Sequence, residues 1–401
     1  MDSRRKFIGA MASGLASTLA SSSSVLGAND RLRIGVIGAG QRGVELVHQA
    51  LACPNVEIAG FADVYHKRLD DAHHLVPSAG LVGDYRRLLD DAAIDAVIIA
   101  TPPHLHCEQF VHSLEAGKHV YQEKTLAFTL EDAKRMRIAR REAPKLVVQV
   151  GHQACSSGHM RDATHFLGTG KVGRITAIRM HWYRNTPRGK AQWARPVYPD
   201  MTPANIDWNA FLGSAPRRDF DAQRFLNWRF FEDYSGGSVH ENLSQQLAFW
   251  SKALRLELPQ AATMTGGLYL WKDGRDVPDT MNVTFEQPEQ MLISWDSGLG
   301  NSQLGITEDV LGSDGTISRH SSGIRYLPQK VNRPEGVEAA GKSPTFPTAH
   351  MQNFVECIRT GKEPECAFDL GFRVSVACCM ALESFRQRRT VRWDPLTETI
   401  V

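Results

Sequence analysis

Three glycines in six residues, Gly38, Gly40 and Gly43, follow the apolar run Leu32-Arg-Ile-Gly-Val-Ile37, and an acidic residue, Asp63, stands twenty residues past the last of them. That grouping suits a dinucleotide. The first glycine permits a tight turn, the second lets a pyrophosphate approach the backbone, and the third lets the next helix pack closely on the strand. Gln41 and Arg42, within that turn, are candidate cofactor contacts, and the free N–H groups and positive dipole end of the helix that follows face the phosphates. Asp63 is placed to accept hydrogen bonds from the adenine-side ribose, and its charge repels a 2′-phosphate. The expected cofactor is therefore NAD, with Lys67 and Arg68 close enough in sequence to leave NADP open.

A glycine turn alone is common, so its context carries the inference. A helix is predicted over 44–51 and a second apolar strand over 56–61, ending at Ala62-Asp63. Strand and helix then alternate to about Gly151, which implies a doubly wound parallel sheet. The clearest strand is Ala96-Val-Ile-Ile-Ala100, an unbroken apolar run suited to burial on both faces. Ligands of such sheets bind beyond the carboxyl ends of the strands. Thr101, Pro102, His106, Glu123, Lys124, His152 and Gln153 all fall at such ends, and each is a candidate cofactor contact. His104 and His106 form an H-x-H, but no further ligand lies at metal spacing, so no metal site is expected.

Beyond residue 152 the texture changes. Long strand-like runs over 175–183, 261–271, 281–285 and 291–295 are separated by loops rich in Pro, Trp and Arg, without the recurring helix. This predicts an α/β Rossmann domain (29–152) followed by an α+β domain (153–401) with an open, mostly antiparallel sheet. Trp182, Arg184, Trp193 and Trp228, with Tyr183, Trp208 and Arg229, supply flat apolar faces and guanidinium donors suited to a sugar. Helices are predicted over 350–360 and 370–386, the second packing back on the rest.

The chain has 401 residues, with 46 basic and 44 acidic side chains, so no broad cationic surface argues for nucleic acid. Ser3-Arg4-Arg5-Lys6-Phe7-Ile8 is a twin-arginine pattern ahead of a short Ala/Ser/Gly-rich run. It predicts a signal peptide over 1–28, recognition by the twin-arginine export machinery, a periplasmic or otherwise exported location and no stable membrane span. Seven cysteines without C-x-x-C read mainly as small core residues, with one Cys357–Cys366 bridge left open.

Taken together, GVIGAGQRG, Asp63, Ala100-Thr-Pro-Pro-His-Leu-His106, Gly117-Lys-His-Val-Tyr-Gln-Glu123-Lys124 and the Gly236-Gly237 segment resemble the Gfo/Idh/MocA oxidoreductases over essentially the whole chain after the leader. The resemblance implies a Rossmann domain for NAD(P), a sheet domain that shapes a sugar site and supports a homo-oligomer (dimer or tetramer), and hydride transfer to or from a sugar carbon. It places His106 near the nicotinamide, and Lys124, from the family's Glu-Lys-Pro, at the substrate as a proton-handling group. Thr125 replaces that proline, and the Lys124–Thr125 bond is expected trans, since cis costs about 2.5–4 kcal/mol before other residues. The family's Gly-Gly-x-x-x-Asp-x-Gly-x-His-x-x-Asp here reads Gly236-Gly237-Ser-Val-His240-Glu241-Asn242-Leu-Ser-Gln245-Gln-Leu-Ala248. Gln245 stands for the catalytic histidine and cannot exchange a proton near neutral pH. His240 and Glu241, at a predicted cleft-facing helix start, are the candidate replacements, while Gln245 and Asn242 can bind sugar hydroxyls.

An exported dehydrogenase has no recycled nicotinamide pool. The expected activity is therefore oxidoreductase-like chemistry on a carbohydrate with a tightly held cofactor. The alternatives are an NAD-dependent glycosidase working by transient oxidation and elimination, and a sugar-binding protein whose catalytic set has decayed.

Overall fold

The computed structural model describes residues 31–401; the signal peptide expected over 1–28 lies outside them. The first layer is built from β1 (Leu32–Ile37), α1 (Gln41–Leu51), β2 (Val56–Ala62), α2 (His66–Leu75), β3 (Gly80–Val82), α3 (Tyr85–Leu89), β4 (Ala96–Ile99), α4 (His106–Glu115), β5 (His119–Gln122), α5 (Leu130–Glu142) and β6 (Val148–Val150). The strands form one parallel sheet in the order β3-β2-β1-β4-β5-β6. All four residues of β4 are buried, as a strand covered on both faces requires. The order reverses between β1 and β4, so a crevice opens beyond their carboxyl ends.

The second sheet has ten strands: β7 (Ile175–Tyr183), β8 (Ala261–Gly267), β9 (Thr280–Gln287), β10 (Met291–Gly298), β11 (Ile306–Gly312), β12 (Gly315–His320), β13 (Gly323–Pro328), β14 (Ala339–Ala340), β15 (Val391–Asp394) and β16 (Thr399–Ile400). They run in the order β14-β13-β12-β11-β7-β10-β9-β8-β15-β16. Only β7 and β10 pair parallel; every other neighbour is antiparallel. Strands β11 to β13 and the edge strands are additions to the sequence reading. Their short runs carry Gly, Ser and Arg, and ladder pairing, of β11 with β7 and of each further strand with its neighbour, supplies what propensity does not.

Helices α6 (Gly158–Gly168), α7 (Trp208–Leu212), α8 (Ala222–Leu226), α9 (Ser244–Leu254), α10 (Ala349–Thr360) and α11 (Phe368–Gln387) complete the chain. Fourteen of the twenty residues of α11 are buried, and it packs on β8, α9 and α5, between the two sheets. The helix that returns to the first domain's outer face is α10, whose Met351, Phe354, Val355 and Cys357 share a core with Ile34, Val36, Leu46 and Val47. The seven cysteines are free and buried, so the Cys357–Cys366 bridge does not form. No described helix is long and apolar enough to cross a membrane.

Candidate active site

A cavity of about 730 Å³ lies where the ends of β1, β2, β4 and β5 face the second domain. At its first-domain end Gly38 has φ +95°, and a Cβ there would stand 2.9 Å from the Ala100 carbonyl carbon. A Cβ on Gly43 would come within 2.0 Å of Gly38 O, so α1 lies against the turn as only glycine allows. Gly40 caps α1 without a side-chain bond, which leaves the first N–H groups of the helix for a ligand. Gly38, Gly40, Gln41 and Arg42 line the cavity, while Gly43 sits behind them as a packing residue. This cradle fits a pyrophosphate.

Asp63 is engaged before any ribose arrives. Its Oδ2 accepts from Ala39 N at 2.8 Å and its Oδ1 from Tyr65 N at 2.9 Å, which ties the glycine turn to the end of β2. Each oxygen keeps a lone pair free to accept from a further donor. Of the two nearby cations, Lys67 turns away to Asp71 at 3.3 Å, whereas Arg68 lies 3.7 Å from Asp63 and 4.9 Å from the Phe225 ring centre.

Glu123, at the end of β5, collects three donors. Arg42 Nε reaches its Oε1 at 2.8 Å, Gln153 Nε2 the same oxygen at 3.0 Å, and Lys124 N its Oε2 at 3.1 Å. One carboxylate thus fixes the start of α1, the segment after β6 and the backbone of Lys124. The Lys124–Thr125 peptide is cis, which corrects the trans expectation. Thr125 is fully buried, its Oγ1 donating to His240 O at 2.7 Å.

With Glu123 occupied, the Lys124 side chain pairs across the cavity with Glu241: Nζ stands 3.0 Å from Oε2. Arg229 Nε approaches the same oxygen at 2.8 Å. Val239–Leu243 is one π-helical turn ahead of α9, a feature often found at functional sites. Burial alone would push the Glu241 carboxyl up, but Lys124 and then Arg229 outweigh it and hold the group down at about 2. The carboxylate's contribution is fully present above its usual value and is lost progressively as pH falls from there through about 2. Glu241→Gln leaves two cations facing each other, and we expect a loss of about 2–4 kcal/mol, read as a lower thermal unfolding midpoint. An unchanged midpoint would show that the pairing contributes nothing net.

His240 does not take the cleft-facing position expected of it. It is fully buried behind Glu241, its Nδ1 accepts from Gly236 N at 3.1 Å, and Nε2 has no partner. Burial, then nearby cations, lowers it to about 3. His106 is likewise withdrawn: its Nδ1 stands 2.8 Å from Thr125 O and its Nε2 2.8 Å from Thr101 O, so it braces the loop walls. His152 is buried with both ring nitrogens unpartnered and also lies outside the cavity lining. Thr101, Pro102, Glu123, Lys124, Gln153, Trp182, Arg184, Trp193, Trp228, Glu241, Asn242 and Gln245 border the one cavity. Gln245 donates to Glu241 O at 2.9 Å. Sequence reasoning missed Arg195, whose guanidinium meets Gln41 Oε1 at the cradle, and Phe225 beside Arg68. Both come from loops and a short helix with no periodic signal.

Residues 32–152 match the Gfo/Idh/MocA family, described as an oxidoreductase family with an NAD-binding Rossmann fold. Over 101 residues the chain is 41% identical to 1,5-anhydro-D-fructose reductase of Ensifer adhaerens, covering 25% of this chain and 29% of that protein. Over 138 residues it is 34% identical to an alpha-N-acetylgalactosaminidase of Shewanella oneidensis, covering 31% of this chain and 30% of that one. The chain spans about half the length of one curated relative, an oxidoreductase of Bacillus subtilis (52%), and less of the others. The whole fold matches a levoglucosan dehydrogenase in complex with NADH and levoglucosan, with a TM-score of 0.71 at 19% identity, covering 90% of this chain and 99% of that one. Residues 32–152 thus match the NAD-binding Rossmann domain of that family.

Proposed function

We propose that the protein transfers hydride to or from a carbon of a carbohydrate, with NAD held in place between turnovers. The observation that carries this is the Lys124–Glu241–Arg229 cluster standing in the same cavity as the glycine cradle, which Trp182, Trp193 and Trp228 also line. When bound, NAD supplies the hydride acceptor and donor. Lys124 Nζ, anchored on one side by Glu241, has two further protons to offer to a hydroxyl or carbonyl oxygen at the reacting carbon. Arg229 Nε shares Glu241 Oε2 with Lys124 and helps hold the carboxylate in place. Trp faces stack on the ring, and Asn242 and Gln245 orient hydroxyls.

A second reading is favoured by one feature: Gln245 stands where the family places its histidine, so a net alcohol oxidation lacks its usual proton carrier. The partial match to an alpha-N-acetylgalactosaminidase agrees with redox-neutral glycoside cleavage, in which oxidation at a ring carbon acidifies the adjacent C–H, the leaving group departs, water adds and the carbon is reduced again. Such a cycle suits a protein that its twin-arginine leader carries out of the cytoplasm folded and loaded, in an oligomer built on the second sheet.

Purified without added nucleotide and then denatured, the protein should release stoichiometric NAD, identified by absorbance and chromatography. An empty protein that also fails to bind added NAD would remove the redox reading and leave a sugar-binding module. Incubation with sugars and glycosides should then show hydride exchange at a ring carbon.

A further inference from the structure

The 184–235 segment of the second domain reaches over to the first domain and is fixed there at two points. Past Asp63, Tyr65 and Ile206 form an antiparallel bridge, with His66 N donating to Asn205 O at 3.0 Å and Asp207 N to Val64 O at 2.9 Å. Tyr65 also shares a core with Met201, Trp208, Phe211 and Phe225. The segment is thus pinned to the end of β2, where Asp63, Val64 and Asp207 line the cavity.

Asn227 supplies the second fixed point. It is only 2% exposed, its Oδ1 accepts from Arg195 N at 2.8 Å, and its Nδ2 donates to Arg195 O at 3.1 Å. One buried amide therefore holds both backbone groups of Arg195, two residues before the Arg229 that bonds Glu241. From that clamp the Arg195 side chain runs along the exposed rim of the cavity to the glycine turn. Its Nη2 donates to Gln41 Oε1, while Gln41 Nε2 donates to Glu45 Oε1 at 3.3 Å, which sets the end of the amide that faces Arg195. Gln41 follows Gly40, the cap that leaves the first N–H groups of α1 for a ligand.

A neutral amide oxygen does not match a guanidinium's charge, and Arg195 meets no carboxylate among the described residues. The other cavity guanidiniums lack this combination of place and unmatched charge. Arg68 also approaches Gly40, its guanidinium carbon 3.6 Å from where a Cβ would stand, but Asp63 lies 3.7 Å away to match it. Arg184 stacks on Trp182, 5.2 Å from its ring centre, and Arg217 lines the cavity with no described bond to the turn.

We propose that Arg195 is a nucleotide-binding residue supplied by the second domain, closing on the pyrophosphate whose other contacts are the free N–H groups of α1. The paired oxyanions of a diphosphate suit the planar fork better than one amide oxygen does. The pyrophosphate is then held by both domains, and its departure requires Arg195 to let go. This rests on the NAD reading above and adds the group that makes the cofactor slow to leave.

The test reads nucleotide binding, not turnover, on the full chain. Protein loaded with labelled NAD is chased with excess unlabelled NAD, and the label still bound is followed with time. Arg195→Met should speed release by about tenfold, Arg195→Lys by less, and Arg217→Met, which removes the same charge elsewhere in the cavity, by less than about twofold. Arg195→Met should weaken equilibrium binding of ADP-ribose, which carries the pyrophosphate without the nicotinamide, by a similar factor. Asn227→Ala, which frees the Arg195 backbone and keeps its charge, should fall between native protein and Arg195→Met; if that buried change prevents folding, the rim substitutions still decide. Unchanged release from Arg195→Met, equal effects of Arg195→Met and Arg217→Met, or an unaltered ADP-ribose affinity would overturn the proposal. Native protein that binds no NAD would overturn the nucleotide reading and this one with it. Faster release from Arg195→Met in a protein that exchanges hydride with no sugar would remove the enzymatic reading and leave this one standing.

Discussion

Lys124→Met is expected to lower kcat by roughly 10³-fold while the protein still purifies with stoichiometric NAD. Methionine keeps most of the stem that fills the space beneath Glu241 and removes only the charged, proton-bearing end. Glu241 keeps Arg229 at 2.8 Å, so its carboxylate is not left bare and the fold survives. The nucleotide depends on other groups: the Gly38–Gly43 turn, the α1 N-terminus and Asp63. Turnover and retention should therefore separate, with kcat falling much more than KM rises, because a proton delivered in the transition state is lost and not a ground-state contact. Steady-state kinetics beside nucleotide quantitation checks this. Unchanged kcat would remove Lys124 from the chemistry, and joint loss of NAD and activity would reassign it to cofactor binding.

How much of this was legible in the sequence differs by the range of the interaction involved. The turn at Gly38 to Gly43 and β4 are local, fixed by glycine geometry and an apolar run, and they stand where the pattern puts them. Lys124 was legible as a strand-end residue, but its partner was not. Glu123 is adjacent in sequence, yet its oxygens are taken by Arg42, Gln153 and the Lys124 backbone, which sends Nζ to Glu241, over a hundred residues away. The π turn over 239–243 turns Glu241 to the cavity and His240 into the core, a choice set by tertiary packing that an α-helical reading of the same residues cannot make. The docking of α10 on the first domain is likewise decided by which apolar face remains uncovered after β1 and α1 have formed. The cis bond at Lys124 belongs to the same class, since Thr125 is fully buried and bonded to His240 O.

The residues withdrawn from the cavity lead to the second large expectation, a steep loss of stability in mild acid. His104, His152, His240 and His350 are all buried, and burial lowers them to about 4, 3, 3 and 4 respectively. Their bonding fits the neutral ring. His240 Nδ1 accepts Gly236 N–H, His350 Nε2 faces Val150 O while its Nδ1 meets Ser156 Oγ, and His152 has no acceptor for either nitrogen. In the unfolded chain each takes up a proton near pH 6.5. In the folded chain none does until about pH 4 or below. The unfolded state therefore binds more protons throughout that window, so stability is full above pH 6.5 and falls as pH drops toward the folded values. With all four contributing, the slope approaches roughly 5 kcal/mol per pH unit near pH 5.5, comparable to the whole stability of many domains. Carboxylates such as Glu241 add their own loss as pH falls through the range where unfolded carboxyls titrate. Urea unfolding midpoints should be flat between pH 8 and 7 and collapse between about pH 6 and 5. Replacing His152 and His240 by glutamine should shallow that slope by about two protons even if the variant starts less stable. A midpoint indifferent to pH down to about 4.5 would mean that these rings are charged, or reach water, in the folded protein.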